Sequence, residues 1–173
     1  TRALEKEAKF NFSNKSIYVI GAGGASYGII SELIKKKVQK IYVTNRTRQR
    51  TTELLSFFKS RNKDIYFEFI DWEGLAPGSD VDLIINTTSF GMKENECLKI
   101  NTNNLKDRLI FVDIIYSPKE TELLKLFKKE GFFCMNGLSM LIEQAAVSFE
   151  LWFNISLNNK DIEEVKKVCE ASY

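Results

Sequence analysis

Ser16-Ile17-Tyr18-Val19-Ile20-Gly21-Ala22-Gly23-Gly24-Ala25-Ser26-Tyr27-Gly28 runs four apolar or β-prone residues, 17–20, straight into Gly21, Gly23 and Gly24. A second apolar series then begins at helical spacing, at Ala25, Ile29, Ile30, Leu33 and Ile34. The pattern reads as strand, tight turn, helix. Gly21 can take the φ that a sharp strand-to-helix turn needs. Gly23 has no Cβ, so an anion can approach the backbone there. The helix N-terminus adds unpaired amides and the positive end of its dipole, which together make a pyrophosphate site. The third position of a dinucleotide fingerprint falls at Ser26, small enough for close helix–strand packing. A plain βα turn would use the same glycines, so the neighbouring residues must decide.

A second strand, residues 40–44, is followed at once by Asn45-Arg46-Thr47-Arg48-Gln49-Arg50. In NAD-binding βαβ units an acidic residue at this strand end holds the ribose 2′-hydroxyl. Here Asn45 takes that place, with Arg46 next and Arg50 one helical turn later. A carboxylate would repel a 2′-phosphate, whereas guanidinium groups pair with it through charge-assisted bonds. The segment therefore argues for NADP over NAD. A solvated basic turn is the plainer alternative; the spacing from the glycines favours the cofactor.

The chain has 173 residues, 44% hydrophobic and 28% charged, with a formal charge of +2. That suits one globular domain of ordinary composition. The charge is too small for a nucleic-acid footprint, and basic residues are interspersed with acids as on solvated helix faces. No apolar run approaches eighteen residues and no signal-peptide pattern is present, so the expected location is the cytoplasm, with no membrane or nucleic-acid partner. Cys97, Cys134 and Cys169 are widely spaced, and the chain contains no histidine. Histidine acid–base chemistry, Ser-His-Asp triads and the usual zinc sites are thereby excluded within the chain, and no metal is expected. The cysteines read as reduced thiols.

In order, residues 1–9 form an amphipathic helix, 10–15 a turn, and 17–20 the first strand. The next helix runs to about residue 37, and the second strand covers 40–44. Thr47 caps a helix through Leu54, Leu55 and Phe58. Strands follow at 65–70 and 81–86, the latter leading into Thr87-Thr88-Ser89-Phe90-Gly91-Met92, and residues 95–107 form a polar loop. A continuous apolar strand at 109–113 implies helices on both faces. A helix at 121–129 ends at Gly131, followed by a short strand at 132–135. An apolar helix covers 138–153 and a polar one 161–170. The alternation predicts an α/β, Rossmann-like doubly wound domain with a mostly parallel sheet and helices on both faces. Ligands sit outside the carboxyl ends of such strands, and nearly all the unusual chemistry falls there.

Five motifs then stand in order: Gly-Ala-Gly-Gly-Ala-Ser, Asn-Arg-Thr-x-x-Arg, Ile-Ile-Asn-Thr-Thr-Ser-x-Gly-Met, Asp-Ile-Ile-Tyr-x-Pro and Gly-Leu-x-Met-Leu-x-x-Gln-Ala. Together, over residues 19–152, they resemble the NADP-binding half of the shikimate dehydrogenase family. The resemblance implies that Gly21, Gly23, Gly24, Ala25 and Ser26 cradle the pyrophosphate. It implies that Asn45, Arg46, Thr47 and Arg50 hold the adenosine ribose and its 2′-phosphate, and that Thr88 and Ser89 line the cofactor path. Ile114 would pack near the nicotinamide, and Gly137 would approach it by its backbone. Tyr116 and Gln144 would reach the hydroxyls or carboxylate of shikimate or 3-dehydroshikimate. A glutamine among Met140, Leu141, Ala145 and Ala146 is expected to be buried and to need a partner.

Two positions depart from the family pattern. Tyr27 stands where relatives often carry a basic residue, and Phe90 is bulkier than the usual small aliphatic. The family's N-terminal domain, with its Lys and Asp that handle the hydroxyl proton, has no counterpart here, so no catalytic residue is assigned. The chain begins without Met, as a piece of something longer would. The expectation is one NADP-binding domain, residues 1–173, of an NADP-dependent shikimate dehydrogenase, its substrate shared with an N-terminal domain outside this chain. A quinate/shikimate enzyme of broader specificity, or a non-catalytic nucleotide-binding module, would carry the same motifs.

Overall fold

The computed structural model describes residues 1–171 apart from 74, 94, 95 and 97. Cys97 and the start of the expected polar loop at Asn95 thus lie outside the described residues. The elements run α1 (Arg2–Glu7), β1 (Ser16–Ile20), α2 (Gly24–Lys35), β2 (Lys40–Thr44), α3 (Arg48–Lys59), β3 (Tyr66–Phe69), β4 (Leu83–Asn86), β5 (Ile110–Asp113), α4 (Glu122–Lys129), β6 (Phe133–Met135), α5 (Leu138–Phe153) and α6 (Asn159–Ala171). The six strands form one sheet in the order β3-β2-β1-β4-β5-β6, and every pairing is parallel. This is the doubly wound order whose direction reverses between β1 and β4, and a crevice opens at the carboxyl ends of those two strands.

Strand alternation divides the core. Ile17 and Val19 of β1, Leu83 and Ile85 of β4, and Ile110 and Val112 of β5 face a layer built with α2 and α3. Tyr18 and Ile20, Ile84 and Phe111 face the opposite layer, closed by α4. There Phe127 of α4 stacks on Phe111 with ring centroids 4.1 Å apart and planes within 4°, an arrangement contributing about 0.5–1.5 kcal/mol beyond its buried area. With helices over both faces, all four residues of β5 and all five of β1 are buried, which is why these strands read as continuous apolar runs. Tyr27 packs edge-on against Phe57 and close to Phe58, joining α2 to α3. Among the described residues, no helix is long and apolar enough to cross a membrane.

Candidate functional site

The turn after β1 is shaped by Gly21. Its φ is +116°, and a Cβ there would lie 2.4 Å from Thr87 Oγ1. Conformation and crowding both require glycine. Gly21 N–H donates to Thr44 O at 2.7 Å, and Thr87 N–H to Ile20 O at 2.8 Å, continuing the ladders past the strand ends. Gly23 then occupies the N-cap of α2 in extended conformation. Added Cβ atoms at Gly23 and Gly24 would meet nothing within 4 Å. Gly23, Gly24 and Ala25 are exposed at the rim, while Ser26 below them is fully buried.

Ser26 belongs to a directed chain of hydrogen bonds. Thr87 Oγ1 donates its one proton to Ile20 O at 2.7 Å. The 2.8 Å contact between Ser26 Oγ and Thr87 Oγ1 must therefore have Ser26 as donor. Ser26 Oγ keeps a lone pair for Gly23 N–H, 3.2 Å away. The serine hydroxyl is thus bound into the scaffold, tying the glycine turn to β4. The next amides, of Gly24 and Ala25, have no acceptor among the described residues. They are the first two donors of α2, unpaired by helix geometry and lying at its positive end.

Asn45 links this turn to the loop after β2. Its Oδ1 accepts from Ala22 N–H at 3.3 Å, and its Nδ2 donates to Thr47 O at 3.0 Å. A carboxylate would lack the second bond. Thr47 stands at the N-cap of α3 as expected, but its hydroxyl makes no capping bond. Arg46 and Arg50 are exposed, and neither makes an ion pair among the described residues. The Arg46 guanidinium lies 5.7 Å from the centroid of the Phe90 ring. Arg48 points elsewhere, over Phe69 at 4.9 Å.

Beyond β4 and β5 a buried polar hub holds the next two loops. Asp113 Oδ1 accepts from Asn86 Nδ2 at 3.1 Å and from Ile115 N–H at 3.1 Å. Its Oδ2 accepts from Thr121 Oγ1 at 2.7 Å. Asn86 Oδ1 accepts from Thr88 N–H and Thr88 Oγ1, and Thr88 Oγ1 accepts from Phe90 N–H. Burial pushes the Asp113 carboxyl up to about 6 against the pull of its three donors. Asp113 is 0% exposed, so it cannot reach a ligand as a base. The sequence pattern held no local signal for this hub, because its partners lie 27 and 8 residues apart. Thr88 is half-buried in it, whereas Ser89 is exposed.

Of the residues expected near nicotinamide and substrate, Ile114, Tyr116 and Gly137 stand just past the carboxyl ends of β5 and β6, and Gln144 lies within α5. An added Cβ at Gly137 would lie 1.8 Å from Ile114 O, and Gly137 N–H donates to Ile115 O at 3.0 Å. Glycine is needed there because α5 starts against the backbone that follows β5. Ile114 lines an apolar cavity of about 190 Å³ together with Gly28, Ile29, Ile85, Val112 and Met140. Tyr116 is 43% exposed. Gln144 is exposed as well, which corrects the expectation of a buried, partnered glutamine. The turn of α5 instead buries its neighbour Glu143, whose Oε1 accepts from Lys6 Nζ of α1 at 2.6 Å. In a helix apolar on most sides, periodicity does not tell which residue faces inward.

A separate cavity of about 590 Å³ lies at the edge strand β6. Its Lys128 and Lys166 are paired with Glu120 and Glu7, which offset their charge. Cys134, in its wall, has a thiol pushed by burial up to about 11, which argues against thiolate chemistry. No group of three metal-binding side chains occurs among the described residues.

Comparison with known proteins agrees with the motif order. The family model described as shikimate / quinate 5-dehydrogenase matches residues 3–127, and that of the shikimate 5'-dehydrogenase C-terminal domain matches residues 137–165. The chain is 39% identical over 153 residues to a shikimate dehydrogenase (NADP(+)) of Pelagibacter ubique, spanning 88% of this chain and 54% of that protein. A Listeria monocytogenes shikimate 5-dehydrogenase, solved with shikimate and NAD, superposes with a TM-score of 0.82 at 28% identity, covering 95% of this chain and 59% of that one. A Thermus thermophilus shikimate 5-dehydrogenase, solved with NADP(H) and shikimate, gives 0.76 at 26% identity, covering 94% and 57%. The chain therefore spans a little over half the length of these relatives.

Proposed function

This chain belongs to the shikimate/quinate dehydrogenase family, and from that premise we propose that it is the NADP-binding domain of a cytoplasmic shikimate dehydrogenase. The observation that carries the reading is the pair of unpaired amides, Gly24 and Ala25, at the β1–β4 switch point. They face a rim where no side chain stands in the way of a pyrophosphate. Asn45 sets the loop that presents Arg46 and Arg50, and no carboxylate at the end of β2 opposes a 2′-phosphate. Ser26 and Thr87 hold the turn that presents the Gly24 and Ala25 amides. The apolar cavity lined by Ile114 suits the nicotinamide ring, and Gly137 backs onto the Ile114 carbonyl. When bound, the nicotinamide accepts or gives the hydride that interconverts shikimate and 3-dehydroshikimate. Tyr116 and Gln144, exposed and without side-chain hydrogen bonds among the described residues, are free to meet substrate polar groups.

Oxidising a secondary alcohol also needs a base within about 3 Å of the hydroxyl, directly or through one water. Asp113 is sealed in its hub. We assign proton handling and most of the substrate pocket to a further, N-terminal domain, in keeping with the span of the relatives. Titration calorimetry with NADP+ and NAD+ tests the binding role: NADP+ should bind more tightly. Equal affinities would remove the 2′-phosphate clamp, and no binding of either would remove the function.

A further inference from the structure

We propose that the Phe90 ring is the platform on which the adenine base stacks, with the Arg46 guanidinium closing over the base's other face; this rests on the dinucleotide-binding reading above. Phe90 differs in kind from a loop residue that happens to be aromatic. Its N–H donates to Thr88 Oγ1 at 3.2 Å, and its carbonyl accepts from Asn86 Nδ2 at 3.4 Å. Through Asn86 it is anchored to the buried Asp113. Trp72 supports the ring from the side, at 6.0 Å between centroids, within the hydrophobic layer under α4. The ring is half-buried and fixed, while Arg46 is long, exposed and without an ion pair among the described residues.

The two groups come from loops on either side of the glycine turn, after β4 and after β2, where the adenosine half of a dinucleotide lies in this strand order. At 5.7 Å the guanidinium already sits within cation–π range of the ring. A flat base inserted between them needs about 7 Å, two van der Waals contacts of roughly 3.5 Å. Arg46 has to lift by little more than an ångström. A base then exchanges one cation–π contact for two stacking contacts, and the same movement leaves the guanidinium beside the ribose. The contact with Phe90 holds Arg46 close to its working position, which lowers the ordering cost of binding.

The test compares the whole chain with Phe90→Leu, Phe90→Trp, Arg46→Ala and the Phe90→Leu/Arg46→Ala double variant, using 2′,5′-ADP and 5′-ADP as probes. Leucine keeps an apolar side chain for the core but has no π face. Calorimetry should show both nucleotides weakened by about tenfold in Phe90→Leu, with binding restored in Phe90→Trp. Proton NMR should show the adenine H2 and H8 resonances moved upfield by the wild-type chain and less so by Phe90→Leu. The leucine effect should persist in the Arg46→Ala background. If wild type binds 2′,5′-ADP while Phe90→Leu binds equally tightly with the same adenine shifts, the platform is refuted and Phe90 is only a core residue. A leucine effect that vanishes without Arg46 also refutes it, because Phe90 then acts only by seating the arginine. Failure of the wild-type chain to bind either nucleotide would instead overturn the dinucleotide reading itself.

Discussion

The two ends of the crevice are built differently. At the β1–β2–β4 end, a hydrogen-bond chain from the Gly23 amide through Ser26 and Thr87, and a separate bond from Ala22 to Asn45, fix the turn and leave the Gly24 and Ala25 amides without an acceptor among the described residues. At the β5–β6 end the backbone is equally well held, by Asp113 and by the tight approach of Gly137 to Ile114. The exposed polar side chains assigned to the substrate, Tyr116 and Gln144, have no side-chain hydrogen bond among the described residues. Beyond them α5 ends with Leu151 and Trp152 77% and 79% exposed. Binding needs a preorganised cradle, whereas turnover needs substrate groups and a base held to a fraction of an ångström. The contrast fits the proposal of a chain equipped to bind the nucleotide and not, by itself, to turn over substrate.

The sharpest way to break this contrast is a turnover assay. The chain alone should give no shikimate-dependent NADP+ reduction above blank at any pH, followed by NADPH absorbance with excess shikimate. Saturable turnover would mean that the β5–β6 end already holds a base. Next in size is Gly23→Val. A branched side chain fits the turn, since φ is −95° and the space is open, yet it fills the expected phosphate position. NADP+ binding should fall below calorimetric detection while far-UV circular dichroism stays unchanged. Retained binding would move the phosphates elsewhere.

Arg46→Ala removes one charge-assisted partner of the 2′-phosphate, worth roughly 1.5–3 kcal/mol. NADP+ should weaken by about tenfold or more and NAD+ by less, the difference reporting the 2′-phosphate share. The smallest effect lies in the hub. The folded chain holds the Asp113 proton up to about pH 6, whereas an ordinary aspartate releases it near 3.8. The fold binds more protons than the unfolded chain between those values, so this carboxyl's contribution to stability is full below the lower value and falls as pH rises through the upper. The loss is at most about 2–3 kcal/mol. Asp113→Asn, with the Thr121 hydroxyl reoriented, should flatten that part of the urea-denaturation profile between pH 4 and 6. Parallel profiles for the two proteins would show that the three donors keep the carboxylate ionised.

How much of this was legible in the sequence depended on range. The strand-turn-helix at Gly21 and the bounds of β2 and α5 follow from local patterning and turn chemistry, and the structure reproduces them. The layer order follows once the helices alternate with strands. Side-chain partners across the fold do not. Ser26 reads from its spacing as a fingerprint residue, but its hydroxyl is committed to Thr87, 61 residues away. The expected burial of Gln144 failed by a single helical step, because an apolar helix gives no preferred face and the ion pair with Lys6 selects Glu143. Phe90 stood out only as too large for its place; its relation to Arg46 is a meeting of two loops that no local pattern records.

The amides of Gly24 and Ala25 stand at the centre of the proposed cradle, and backbone NMR reads them directly. On addition of NADP+ to the whole chain, their N–H resonances should move most, together with the Arg46 and Arg50 side-chain signals, while resonances of the β6-edge cavity around Lys128 and Lys166 stay in place. Saturable shifts at the β6 edge with Gly24 and Ala25 unmoved would contradict the assignment of the cofactor to the glycine turn.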